Sequence, residues 1–134
     1  MSKIIIDGNG AVFGRICSFA AKKALEGNDI VIVNSEKVII SGNKKDILKK
    51  YKIIKTKGGH SLKGPKYSRI SYKMLKRGIR GMLPDHRKGI GKQAFSRIMC
   101  YQGVPKKFEN EKIIKSKKIK PNKYIALKQL SERI

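Results

Sequence analysis

Two β-branched runs bracket a stretch of helical periodicity at the start of this chain, and that order restricts the fold more than any other feature. Lys3 to Asp7 reads as a buried strand around Ile4-Ile5-Ile6. Gly8-Asn9-Gly10 follows as a turn, and Val12, Phe13, Ile16, Cys17, Ala20, Ala24 and Leu25 then recur at the spacing of one helix face. Gly27-Asn28 ends that helix. Asp29 to Asn34 and Lys37 to Ser41 are again of strand length, and the apolar run from Ile30 to Val33 suits a strand covered on both faces. Strand, helix and strand in this order predict a βαβ unit, hence an α/β fold with a small, mainly parallel sheet.

A chain of 134 residues holds one such domain plus extensions. Its 33 Lys and Arg against 9 Asp and Glu give a formal charge of +24, and the excess is uneven. Residues 1–48 carry seven Lys or Arg and five Asp or Glu, a net of +2, which leaves +22 for residues 49–134. The first third reads as scaffold and the remainder as a binding surface. A basic excess of this size repels itself in the free protein and is tolerated where a polyanion neutralises it, so nucleic acid is the expected partner. A membrane surface is the weaker alternative, since no apolar run is long enough to span a bilayer and no leader pattern precedes Ile4. Cys17 and Cys100 both fall in apolar patterns that read as buried helix faces, which fits reduced intracellular thiols.

Within the basic portion, Asn43 can cap a helix whose stripe is Ile47, Leu48, Tyr51 and Ile54, with lysines such as Lys44 and Lys45 on the remaining surface. Gly58 to Pro65 cannot continue a helix and reads as a basic loop carrying His60 and Lys63, with Lys66 and Tyr67 just beyond. Ser71 to Leu83 is the most informative helix. At about 100° per residue, Arg69, Lys73, Lys76, Arg77 and Arg80 share a sector of roughly 100°. Tyr72, Met74, Leu75, Ile79, Met82 and Leu83 fall on the opposite side. A solvated face normally mixes charge signs, yet no Asp or Glu occurs between Lys49 and Pro84, which favours a face laid on phosphates.

Pro84 stops this helix, and a second Gly-interleaved loop carries Arg87, Lys88 and Lys92 before a short helix with Ala94, Phe95, Ile98 and Met99. Arg97 adds another candidate RNA contact there. Tyr101 to Pro105 turns the chain. The Lys-rich tail from Lys106 to Lys123 reads as an extension over a partner, and Tyr124, Leu127 and Leu130 mark a short closing helix. We therefore expect a body over residues 1–108 and a basic extension over 109–134.

One pattern points elsewhere. Gly8 to Gly14 follows a strand and opens a helix, and Glu36 trails it, as in a dinucleotide fingerprint. The spacing is wrong, because the last glycine of that motif would fall at Phe13. His60 and His86 sit in separate basic loops, with Asp85 the carboxylate beside His86, and no Cys-x-x-Cys occurs. No enzyme, cofactor or metal site is expected. Arg and Lys for phosphates, glycines for close approach, and Tyr67 and Tyr72 as stacking surfaces fit RNA read by shape better than DNA read by sequence.

Four stretches, in order and at fitting distances over residues 3–108, carry a family likeness. They are Ile6-Asp7-Gly8 through Gly14-Arg15, Val33 to Val38 with Ser41-Gly42, Arg77 through Arg80-Gly81-Met82-Leu83-Pro84, and Tyr101-Gln102-Gly103-Val104-Pro105. With these the chain resembles the large-subunit ribosomal protein thirteen family in its archaeal and eukaryotic form. The resemblance implies a three-layer α/β/α domain in cytoplasmic ribosomes, bound to large-subunit rRNA beside neighbouring ribosomal proteins and supporting subunit assembly. Arg69, Lys73, Arg77 and Arg80 match basic positions of the family pattern, and Arg87, Lys88 and Lys92 match its basic loop. Ser71 and Tyr72 depart from it, standing where Pro and Ser are expected. The same surface would also serve a free RNA-binding regulator.

Overall fold

Ile4, Ile5 and Ile6 of β1 (Lys3–Asp7) lie in parallel register with Ile30, Val31 and Ile32 of β2 (Asp29–Val33). The crossover between them is α1 (Phe13–Leu25), so the βαβ unit forms as expected. The structure, a computed structural model, describes residues 3–56, 67–115 and 121–134. The loop expected at Gly58 to Pro65, with His60, Lys63 and Lys66, lies outside the described residues.

Two more parallel strands complete a four-stranded sheet of order β4-β2-β1-β5, with β4 at Ile98–Cys100 and β5 at Ile113–Lys115. Pleat alternation divides its residues between two clusters. Ile6, Ile30, Ile32, Ile98 and Cys100 join the main core with the helices, whereas Ile5, Val31 and Val33 gather on the far side around Phe108. Ile30 to Val33 are all buried, which is why that strand has no polar alternation. The fold is α/β with a parallel main sheet. Its far layer is thin, and among the described residues it is closed by the 3₁₀ turn Lys106–Phe108 and the half-buried Tyr101.

The other helices are α2 (Lys44–Thr56), α3 (Ser71–Gly81), α4 (Gly89–Ser96) and α5 (Leu127–Arg133). Asn43 caps α2 as expected, its Oδ1 accepting from the Lys45 amide at 3.1 Å. The stripe Ile47, Leu48, Tyr51 and Ile54 is half-buried, and no residue of α2 is fully buried.

Several expectations need correction. The Lys37–Ser41 run does not enter the main sheet. Residues 35–37 form a 3₁₀ turn, and β3 (Ile39–Ser41) pairs antiparallel with β6 (Tyr124–Ala126) in a separate ribbon. Ile98, Met99 and Cys100 are strand rather than helix, because β2 offers them a free parallel edge, with Ile30 opposite Ile98. Gly89 to Lys92, read as loop, opens α4. Met82, placed on the apolar side of its helix, lies beyond the last turn and is 46% exposed. The tail read as extending over a partner supplies β5 to the sheet edge, and Phe108 fills the far cluster. Tyr124 is in β6, while Leu127 and Leu130 are fully buried in α5.

Candidate nucleic-acid interface

Helix α3 carries the strongest concentration of candidate residues, and its docking decides where they point. Met74, Leu75 and Ile79 are buried against the main core. Gly78 sets the approach to α1, since a Cβ there would sit 2.5 Å from Phe13 Cζ and 3.2 Å from Cys17 Sγ. A side chain at 78 would therefore push the two helices apart. The N-terminal end of α3 is pinned by the buried Ser71 hydroxyl, which accepts from Gln102 Nε2 at 2.7 Å.

That bond joins α3 to the carboxyl end of the sheet. Gly103 O accepts from the Asn34 amide, and the Gly103 amide donates to Glu36 Oε2 at 3.0 Å. Asn34 holds the left-handed conformation (φ 56°) and donates through Nδ2 to Asp7 Oδ1 at 2.9 Å. Asp7 and Glu36 thus serve backbone and side-chain donors of their own chain. A Cβ at Gly8 would lie 2.9 Å from both Asn34 O and Val38 Cγ2, so this glycine is required by the close approach of its own chain.

The cations on α3 and just before it divide into two kinds. Arg69 and Lys73 are exposed, whereas Lys76, Arg77 and Arg80 are half-buried. Lys76 Nζ lies 5.1 Å from the Phe95 ring centre, and the Arg77 guanidinium lies 4.6 Å from that of Tyr67. Tyr67 in turn packs edge-on to Tyr51 of α2, with ring centres 5.7 Å apart. Burial pushes the Tyr67 hydroxyl above the usual phenol range, with the neighbouring Tyr51 adding to the shift. Tyr67, singled out as a stacking surface, is thus already sandwiched between α2 and α3. Tyr72 is half-buried against the core.

Arg87, Lys88 and Lys92 are exposed around the turn from α3 to α4. Asp85 Oδ1 accepts from the Arg87 amide at 3.0 Å, so this carboxylate shapes the turn, and the His86 ring packs 6.1 Å from Phe95. A Cβ on Gly91 would collide with the carbonyl oxygens of Pro84 and Asp85, which fixes the turn close against α4. The ion pairs Lys3–Glu111 and Lys23–Glu26 lie on other elements.

Two groups of residues fall away from this face. Arg97 is half-buried and donates through Nη1 to Ala24 O at 3.0 Å, at the C-terminal end of α1. Lys44 and Lys45 instead line a shallow cleft of about 490 Å³ with Asn122, Lys123, Tyr124 and Gln129. Lys123 is the residue sequence reasoning missed there. Its partners in the cleft are distant in the chain, and only the β3–β6 ribbon brings them together.

Cys17 and Cys100 are buried free thiols pushed up to about 12 by burial. Among the described residues, no group of three His, Cys, Asp or Glu could hold a metal ion, and no helix is long and apolar enough to cross a membrane.

A family model described as Ribosomal protein L13 matches residues 2–107. The chain is 42% identical to large ribosomal subunit protein uL13 of Methanocaldococcus jannaschii over 134 residues, covering 97% of this chain and 96% of that protein. It is 39% identical to its counterpart in Methanosphaera stadtmanae, covering 87% and 84% of the two chains. A third relative, from Picrophilus torridus, is 39% identical over 96% and 94%. The match runs through the glycine turn, the cationic helix and the Tyr101–Pro105 loop alike, and the chain belongs to the ribosomal protein L13 family.

Proposed function

We propose that this protein is a structural constituent of the large ribosomal subunit, working in cytoplasmic ribosomes beside neighbouring ribosomal proteins, and that it binds rRNA without catalysing a reaction. Arg69, Lys73, Arg77 and Arg80 supply the phosphate contacts together with Arg87, Lys88 and Lys92. The observation that carries this reading is the division of α3, whose apolar side is locked into the core while its basic side has no carboxylate within the stretch from Lys49 to Pro84. Fixed cations on a rigid helix suit a folded RNA, whose phosphates are also fixed. Lys44, Lys45 and Lys123 form a second basic patch for the same polyanion, and His60, Lys63 and Lys66 belong to the proposed contact set on sequence grounds. Arg97 contributes only the donors that Ala24 leaves spare.

Binding of the full chain to a transcript of its organism's large-subunit rRNA tests the mechanism. With about eight phosphates neutralised, affinity falls by roughly a thousandfold or more between 50 and 200 mM salt. A flat salt response would sink it. Comigration with large subunits in a sucrose gradient, surviving a salt wash, separates a subunit constituent from a free regulator, which would stay in the light fractions.

A further inference from the structure

Of the five tyrosines, Tyr51 and Tyr67 pack on each other, and Tyr72 is half-buried against the core. Tyr101 packs on Phe108, with the Lys107 ammonium 5.4 Å from its ring centre. Tyr124 differs from all four. It is 39% exposed, and among the described residues its ring and hydroxyl take part in no hydrogen bond, ring contact or cation–π contact. A bare aromatic face on a strongly basic chain is a stacking platform for a nucleobase.

The ring lines the cleft of about 490 Å³ beside the β3–β6 ribbon, and the fold fixes it there. Ile125, the next residue of β6, is fully buried, so pleat alternation turns Tyr124 outward. Ribbon pairing sets Tyr124 opposite Ser41, and the Gly42 amide donates to Lys123 O at 2.8 Å. The ribbon therefore brings Lys123 and Tyr124 to the start of α2, where Lys44 and Lys45 line the same cleft. These three ammonium groups form no ion pair among the described residues. No carboxylate lines the cleft, and Asp46 instead lines a neighbouring one with Lys49 and Lys50. Asn122 and Gln129 add two side-chain amides, which have no hydrogen-bond partner among the described residues. Cations, a flat apolar face and amide groups thus meet in one concavity.

We propose that this cleft takes one unpaired nucleotide of an RNA strand, with its base stacked on Tyr124, the Asn122 and Gln129 amides at the base edge, and flanking phosphates on Lys44, Lys45 and Lys123. This rests on the rRNA-binding reading above and adds to it a subsite of a different kind from α3. The cations of α3 answer phosphates alone. A stacking face reaches a base only where paired neighbours do not already cover it, so the strand here is single. An acidic peptide would neutralise the lysines and leave the ring bare.

Tyr124→Trp in the full chain gives the test a local reporter, because the sequence contains no other Trp. Stacking of this kind tolerates any base, so a short oligouridylate is a sufficient probe, used at moderate salt where purely ionic contacts are weak. The oligouridylate quenches the indole emission, and a blunt RNA duplex of equal charge quenches it far less. Tyr124→Leu weakens oligouridylate binding about tenfold with the salt slope unchanged, the scale of one lost base–aromatic contact. Tyr124→Phe keeps wild-type affinity. Lys123→Ala weakens binding and lowers the salt slope by about one, as loss of a phosphate contact requires. Both positions are exposed, and the variants keep the wild-type melting temperature.

Wild-type affinity in Tyr124→Leu, or equal quenching by the duplex, would overturn the proposal. So would oligoglutamate displacing the oligouridylate as readily as unlabelled oligouridylate does, which would reduce the cleft to a general polyanion patch. Binding to the large-subunit rRNA transcript separates this from the wider reading. A chain that binds the transcript with its indole unquenched would overturn the subsite alone, whereas wild type that fails to bind the transcript would overturn the rRNA-binding reading itself.

Discussion

Helices α2 and α3 are both lysine-rich and amphipathic, yet α3 buries Ser71, Met74, Leu75 and Ile79 while α2 buries nothing fully. The difference lies in what each can dock against. Gly78 lets α3 approach α1 closely, and the Gln102–Ser71 bond fixes its start, whereas α2 leans on the body through a half-buried stripe and the Tyr51–Tyr67 contact. Equal charge density therefore has unequal consequences. On α3 the cations are held at fixed spacing by the core, and on α2 they ride on a helix with less to hold it.

The largest expected effect on this contrast is Leu75→Ala, which should cost about 2–5 kcal/mol in denaturant unfolding, against about 1 kcal/mol or less for Leu48→Ala. Equal losses would mean that α2 is as integral as α3. Next, Lys73→Glu combined with Arg80→Glu should lower rRNA affinity about a hundredfold with the fold intact, and Lys49→Glu with Lys52→Glu about tenfold or less. A reversal of that ranking in a binding titration would move the principal contact surface to α2.

A smaller effect is expected at the start of α3. Gln102→Ala leaves the buried Ser71 hydroxyl without its donor and should cost about 1 kcal/mol. A double-mutant cycle with Ser71→Ala checks whether the loss belongs to that bond, and zero coupling would show that it does not. The smallest effect at neutral pH concerns the thiols. Cys17 and Cys100 are pushed from 9.0 up to about 12, so the folded state keeps protons that the unfolded chain releases. That stability is fully present below pH 9 and is lost as pH rises from 9 towards 12. Replacing both cysteines with alanine should flatten this alkaline slope in a series of unfolding curves, and an unchanged slope would place the titration elsewhere.

The division of α3 was legible because its charges and apolar residues obey one helical period; α1 was legible by its own helical period, and β1 and β2 as unbroken β-branched runs of strand length. β4 was not. Three residues, Ile98-Met99-Cys100, carry too little pattern to separate strand from helix, and their pairing partner lies nearly seventy positions earlier. β5 hid among lysines because Ile114 is exposed and Ile113 only half-buried at an edge. In the candidate site, residue type and charge were readable, but occupancy was not. Nothing local reveals that Tyr67 is taken up by Tyr51 and Arg77, that Arg97 reaches Ala24, or that Lys123 joins Lys44 and Lys45.

The strand order β4-β2-β1-β5 also bears on how the molecule is made. The central pair, β1 and β2, is complete by Val33, with its crossover helix already in place. The outer strands at Ile98–Cys100 and Ile113–Lys115 are translated much later, and each adds to an edge that is still open. A nascent chain emerging from its N-terminus can thus begin the sheet at the middle and widen it outwards, with no established strand pair having to part for a late arrival. Synthesis order and spatial order agree, so the basic second half can be drawn onto a seed that the nearly neutral first third has already set.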